Sequence, residues 1–156
     1  MRTIKRKSIK LNIGKNNIFQ SIVRAYAKEK QYWLLRFQQA IHISYIKNHR
    51  VIRNNAVQSN YKSPYGLQTR QWKLALQDAA DTMDKYWQSL FDKIKSDIYK
   101  ASFSDTERHY AYWFLKDYAC FADVLLFKAP NFKELSLKER KRVMHFLNRK
   151  IRTHKK

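Results

Sequence analysis

The sequence predicts a mainly α fold, an antiparallel bundle of about four helices preceded by one N-terminal β-strand whose pairing partners lie elsewhere. Three observations carry this. Two Gly and two Pro in 156 residues leave few positions for tight turns. Between Tyr65 and Lys100, the residues Trp72, Leu76, Ala79, Met83, Trp87, Leu90, Ile94 and Ile98 recur every three or four positions, one helix face sustained for about eight turns. Two Ser-x-x-Glu capping boxes, Ser104 to Glu107 and Ser136 to Glu139, mark the starts of two further helices.

In chain order, residues 2–13 are the strand candidate, because Ile9, Leu11 and Ile13 alternate with Ser8, Lys10 and Asn12, the period of a half-buried strand. A lone strand leaves backbone groups unpaired on both edges, so it needs strands from another subunit or from residues outside this chain; the other reading is a basic arm that wraps nucleic acid. Gly14 to Asn17 is expected to turn. A helix is expected from about Ile18 to Ile46, with Ile18, Ile22, Tyr26, Trp33, Phe37, Ile41 and Tyr45 on one side and a slip of phase near Glu29–Gln31. Residues 47–65 are Asn-rich, basic and broken at Ser63–Pro64, and are expected to be irregular. The long central helix follows. After Ser102–Ser104 a helix carrying Tyr110, Phe114, Phe121 and Leu125 is expected to stop before Pro130, and the last helix carries Val143, Leu147 and Ile151.

The formal net charge is +21, far from ordinary composition, and such a chain attracts polyanions. Residues 1–77 hold 16 Lys and Arg against the single acid Glu29, residues 78–132 hold 7 against 9 acids, and residues 133–156 hold 10 against 2. A nearly neutral middle is therefore flanked by two cationic blocks. Aromatics at 15% distinguish the chain from a disordered basic tail. Most of them should be core, while those mixed with Lys and Arg suit stacking on bases. Arg70 and Lys73 sit where the central helix opens, an end at which the helix dipole prefers acids; they either meet solvent or meet phosphate and base edges. Together with Lys47, Arg50 and Arg53 they form one uncompensated basic patch over residues 47–73, the first candidate for a nucleic-acid surface. The second candidate lies on the last helix, at Arg140, Arg142, Arg149 and Arg152.

Catalytic signals are missing. The five His residues, at 42, 49, 109, 145 and 154, have no His or Cys partner at metal-ligand spacing. Asp78, Asp81 and Asp84 step by three along one helix and so drift across its face; a solvated face or pairing with a neighbouring helix suits them better than a shared Mg²⁺. There is no Gly-rich phosphate loop. The single cysteine, Cys120, forbids a disulfide framework within the chain. The absence of a signal peptide and of an apolar run long enough to span a bilayer leads to an expected cytoplasmic location. No catalytic residue, metal ligand or cofactor of its own is assigned to the chain.

Four phrases, QYWLLRFQ (31–38), GLQTRQWKLALQDAADTMDKYWQSLF (66–91), SDTERHYAYWFLK (104–116) and LSLKERKRVMHFLNRKIR (135–152), resemble the N-terminal half of OrfB/TnpB-type transposon proteins, relatives of the type V CRISPR effector nucleases. The second phrase is the most specific, and together they cover most of the chain in the family's order. The resemblance implies that residues 1–15 hold the first strand of a wedge-type barrel completed elsewhere and that residues 16–156 form a helical recognition domain. It implies guide RNA and target DNA as partners, gripped mainly through the duplex backbone. It gives Gln68, Thr69, Arg70 and Lys73 a part in reading the motif that flanks the target, with Tyr65, Arg50 and Arg53 beside them. Later barrel strands, the RuvC carboxylates and the zinc-binding cysteines have no counterpart here. Cutting, with its Mg and Zn, is thus expected only of a second polypeptide carrying RuvC, unless the chain is a truncated or repurposed copy. The alternative is a stand-alone basic DNA-binding regulator built from the same domain, without nuclease activity. A module whose charge serves only solubility fits the clustered charge least well.

Overall fold

The computed structural model describes residues 12–154. They form seven helices and, among the described residues, no strand: α1 (Ile13–Phe37), α2 (Ala40–Ile43), α3 (His49–Gln58), α4 (Thr69–Lys100), α5 (Asp105–Phe114), α6 (Tyr118–Leu125) and α7 (Leu137–His154). The mainly α expectation holds, with more and shorter helices than the expected four. None of them is long and apolar enough to cross a membrane.

Residues 2–11 of the expected strand lie outside the described residues. Its last two positions are not strand: Asn12 caps α1, accepting the Lys15 N–H on its Oδ1 at 2.9 Å, and Ile13 is the first helical residue. The expected turn at Gly14–Asn17 is the first turn of that helix, because a capping Asn satisfies N–H groups that a turn would leave open.

Helix α1 stops at Phe37 instead of running to Ile46. Phe37, Ile43 and Ile46 are all buried. A continued helix would rotate the latter two about 120° and 180° away from Phe37, so the chain breaks and α2 folds them back inward. Only the middle of the expected stripe is core. Trp33 and Phe37 are buried, whereas Ile18 and Ile22 are 63% and 39% exposed and Ile41 is 72% exposed. Residues 47–65 are not irregular throughout, since α3 occupies His49–Gln58. It buries Ala56 and packs Ile52 on the core, then closes through Asn60 at φ 52°, with the Tyr61 N–H bonding the Ala56 carbonyl at 2.8 Å. Asn tolerates that left-handed conformation.

Helix α4 is the central rod. Its stripe from Trp72 to Ile98 is buried as expected, joined by Ala75, Ala80 and Phe91. Its first half lies antiparallel against α1, where Tyr26 reaches Asp78 while Trp33 stacks near Trp72. Its second half packs under α5, α6 and α7; Trp87 and Phe91 meet Phe121 of α6 at ring distances of 5.3 and 4.7 Å. The helix expected after Ser104 is two. Asp117 interrupts it by capping α6, its Oδ1 accepting the Cys120 N–H at 2.8 Å, and this bond holds the Asp117 carboxyl below its ordinary range. The break lets Leu115 and Tyr118 both be buried. Both capping boxes form: the Ser104 N–H donates to Glu107 and the Ser136 N–H to Glu139, at 2.9 and 2.8 Å, with the reciprocal bonds from Glu107 and Glu139 N–H to the serine Oγ atoms.

Candidate nucleic-acid interface

The site at the start of α4 is positioned from beneath by a buried acid. Glu29 is fully buried, on the same face of α1 as Trp33 and Phe37. Its Oε1 accepts the Trp33 indole N–H and the Tyr61 hydroxyl, both at 2.8 Å, and its Oε2 accepts the Ser63 hydroxyl at 2.6 Å. No Lys or Arg pairs with it among the described residues; three neutral donors satisfy the carboxylate instead. Burial, and then the bond to Glu29, push the Tyr61 phenol up, so it stays a donor. Around this point Trp33, Tyr61 and Trp72 pack ring to ring, Tyr61 lying 5.1 Å edge-on from Trp72. The loop between α3 and α4 is thereby tied to α1. Gly66, at φ 77°, makes the final turn into α4, a backbone angle that favours glycine.

The result is a groove of about 420 Å³ between α3 and the opening of α4, lined by His49, Arg53, Thr69, Arg70, Lys73 and Gln77 with Leu74. It adjoins a second hollow of about 490 Å³ where Arg53 and Lys73 meet Asn54, Val57 and Gln58. No Asp or Glu is among the described residues lining either hollow, and no ion pair among the described residues involves Arg50, Arg53, Arg70 or Lys73. Arg53 is oriented by the Asn54 side chain at 3.3–3.4 Å, and the Lys73 ammonium lies 5.7 Å from the Trp72 ring centre. These cations sit at the positive end of the α4 dipole, an arrangement suited to phosphate.

The structure thus brings Arg53, Thr69, Arg70 and Lys73 together. Gln68 caps α4, its backbone N–H donating to Gln71 Oε1 at 2.9 Å; Tyr65 is exposed in the preceding turn and Arg50 is exposed one turn before Arg53, all three outside the groove lining. Lys47 is elsewhere, its ammonium 6.0 Å from the ring of Tyr118 on α6. Leu74 and Gln77 were not singled out in the sequence, since only the packing of α3 on α4 makes them neighbours of Arg53; His49, named among the scattered histidines, stands one helical turn before Arg53 on α3.

On α7 the four arginines separate. Arg140 is committed to the Ala129 and Pro130 carbonyls at 3.2 and 3.0 Å, so it fastens a loop. Arg142 pairs with Glu107 at 3.3 Å and donates to the Ser102 carbonyl at 2.8 Å. Arg149 and Arg152 are exposed and line, with Arg142, a groove of about 1110 Å³ beside the end of α4. The adjacent Lys150 and His154 both hold Asp97, at 3.3 and 2.7 Å.

The acids of α4 do not converge. Asp78 takes bonds from Tyr26 and Lys30 on α1, and Asp84 accepts the Tyr118 hydroxyl from α6 at 2.6 Å. Among the described residues no three His, Cys, Asp or Glu side chains gather as a metal site. Burial, with the hydrogen bond to Asp117, pushes the Cys120 thiol up to about 11, which keeps it protonated and a poor nucleophile. No family model, curated protein or solved structure matches the chain.

Proposed function

We propose that the chain is a nucleic-acid recognition unit that grips a duplex through the α3–α4 groove. The observation that carries this is the convergence of Arg53, Arg70 and Lys73 on one hollow with no acid among its described lining residues. Cations held apart from counter-charges by a rigid support serve a polyanion, since releasing its counterions supplies most of the binding free energy. Thr69, Arg70 and Gln77 add side chains able to reach base edges in a groove.

The resemblance of residues 31–38, 66–91, 104–116 and 135–152 to OrfB/TnpB-type proteins extends the reading: the duplex is a guide-RNA/target-DNA hybrid with the flanking DNA, and a second polypeptide carrying RuvC does the cutting. In that arrangement Mg and Zn belong to the second polypeptide.

The test is duplex binding across a salt series, by fluorescence anisotropy, with DNA and RNA–DNA hybrid. Wild type should bind both with affinity falling steeply as salt rises. The variant R53A/R70A/K73A should lose at least about tenfold at low salt and flatten the log–log salt slope by up to about 2.7, three phosphate contacts at roughly 0.9 each. An unchanged slope would refute the groove assignment. Co-purification of a structured RNA with wild type separates the RNA-guided reading from that of a stand-alone DNA-binding regulator, which needs none.

A further inference from the structure

The α7 groove differs from the α3–α4 groove in having aromatic rings at its surface. Phe127 is the most telling. It closes α6 at φ 54°, its N–H bonding the Val124 carbonyl while the Lys128 N–H returns to the Asp123 carbonyl. This left-handed position favours Gly or Asn, and a bulky residue there is strained. Core packing does not explain the choice, because Phe127 is 52% exposed. It lines the groove with its ring 6.5 Å from that of His145. Strain kept without a packing return is a mark of functional positions. Beside it Phe146 lies edge-on to Phe103 at 4.9 Å and is already covered by the Arg149 guanidinium and the Lys150 ammonium, 5.9 and 5.6 Å from its ring centre.

The charges sort themselves. Arg142 is taken by Glu107 and Lys150 by Asp97. Lys100, Arg149 and Arg152 also line the groove or its rim and join no ion pair among the described residues. No Asp or Glu is among the described lining residues. The volume of about 1110 Å³ exceeds that of pockets for one drug-sized ligand, roughly 300–1,000 Å³.

An exposed ring, Phe127, set among cations outside any ion pair matches unpaired nucleotides, whose bases can stack while their phosphates are neutralised. A duplex hides its base faces and would leave Phe127 unused. We propose that this groove is a second, independent site that holds a short single strand of RNA or DNA, with one base stacked on Phe127 and the phosphates met by Lys100, Arg149 and Arg152. It rests on none of the residues assigned to the duplex.

The test uses the full chain and fluorescein-labelled octamers: oligo-dT, oligo-U, an abasic strand with the same phosphates, and octaglutamate. Both base-bearing strands should bind; a preference between them identifies the source as RNA or DNA and supports the site either way. The abasic strand should bind about tenfold more weakly, the scale of one lost stack. Phe127→Gly should weaken oligo-dT or oligo-U binding by about tenfold while leaving the melting temperature unchanged or higher, because it removes the ring and relieves the strain; a purely structural Phe would show the reverse. R149A/R152A should weaken all strands and flatten the salt slope by about 1.4, two contacts at roughly 0.7 each. R53A/R70A/K73A should keep single-strand affinity within about twofold, so failure of the duplex reading and failure of this one are separate results. The proposal is overturned if the abasic strand binds as well as the others, if Phe127→Gly leaves affinity unchanged, or if octaglutamate binds as tightly, which would make the groove a seat for acidic protein.

Discussion

Glu29 supports the α3–α4 groove from inside, through its bonds to Trp33, Tyr61 and Ser63. Removing its carboxylate leaves the Trp33 indole N–H and the Tyr61 and Ser63 hydroxyls without their acceptor, at about 1–3 kcal/mol for each group left unsatisfied. Glu29→Ala should therefore lower the unfolding free energy by about 3 kcal/mol in urea titration, and duplex affinity should fall with it. Glu29→Gln, which keeps one acceptor oxygen, should lie between. The sequence shows Glu29 only as an isolated acid where the apolar stripe slips; two of its three partners are 32 and 34 positions away, beyond any local pattern. Asp97 is the acid-sensitive counterpart. Burial alone would raise its pKa, but the hydrogen bonds from His154 and Lys150 outweigh burial and hold it below the ordinary carboxylate range. A carboxyl depressed in the folded state adds stability that is present above its unfolded pKa and lost as pH falls through the folded value. Acidification below about pH 5 should thus destabilise wild type more steeply than Asp97→Asn, as followed by thermal melts across pH.

Among the helices, those with chemical punctuation were legible. Ser104 and Ser136 mark the starts of α5 and α7 within a residue, and the bonds they imply are present. Ser104→Ala and Ser136→Ala should each cost about 1 kcal/mol, additively, since the two caps share no partner; a double variant measured by denaturant melting checks this. The stripe of α4 was legible because it is long and unbroken. Helix α3 was not: its Asn-rich sequence suits a loop, and only the inward Ile52 and Ala56 give a helical spacing. The breaks after Phe37 and Leu115 were also hidden, because each is marked only by a polar pair, Gln38–Gln39 and Lys116–Asp117, with no Pro or Gly, and apolar spacing resumes beyond it. In the first half of α1, helical spacing was right but burial was not, as Ile18 and Phe19 are 63% and 53% exposed. Ile18→Lys or Phe19→Lys should shift stability by less than about 0.5 kcal/mol, a clear contrast with the buried Trp33. The candidate sites were legible to the same degree. The cationic blocks came from composition, whereas the join of Arg53 to Arg70 and Lys73, and the ring faces beside Arg149, required the fold.

For the whole molecule, a formal charge of +21 acts on the folded state as well as on its ligands. Self-repulsion destabilises a compact polycation and salt screens it, so raising salt from about 50 to about 200 mM should raise the melting temperature while weakening nucleic-acid binding. Opposite signs in the two measurements would separate self-repulsion from ligand electrostatics. The rod α4 links both effects, because the duplex groove lies at its first turns and the aromatic groove at its last. With no Pro or Gly between Thr69 and Lys100 to bend it, that rod fixes the distance from Lys73 to Lys100 at about 40 Å. On the two proposed sites, the molecule would act as a caliper with two jaws, spanning about a dozen base steps at roughly 3.4 Å each. A ligand whose paired and unpaired segments are spaced to that gauge would then gain both footholds, and one cut shorter would gain a single foothold whatever its letters spell.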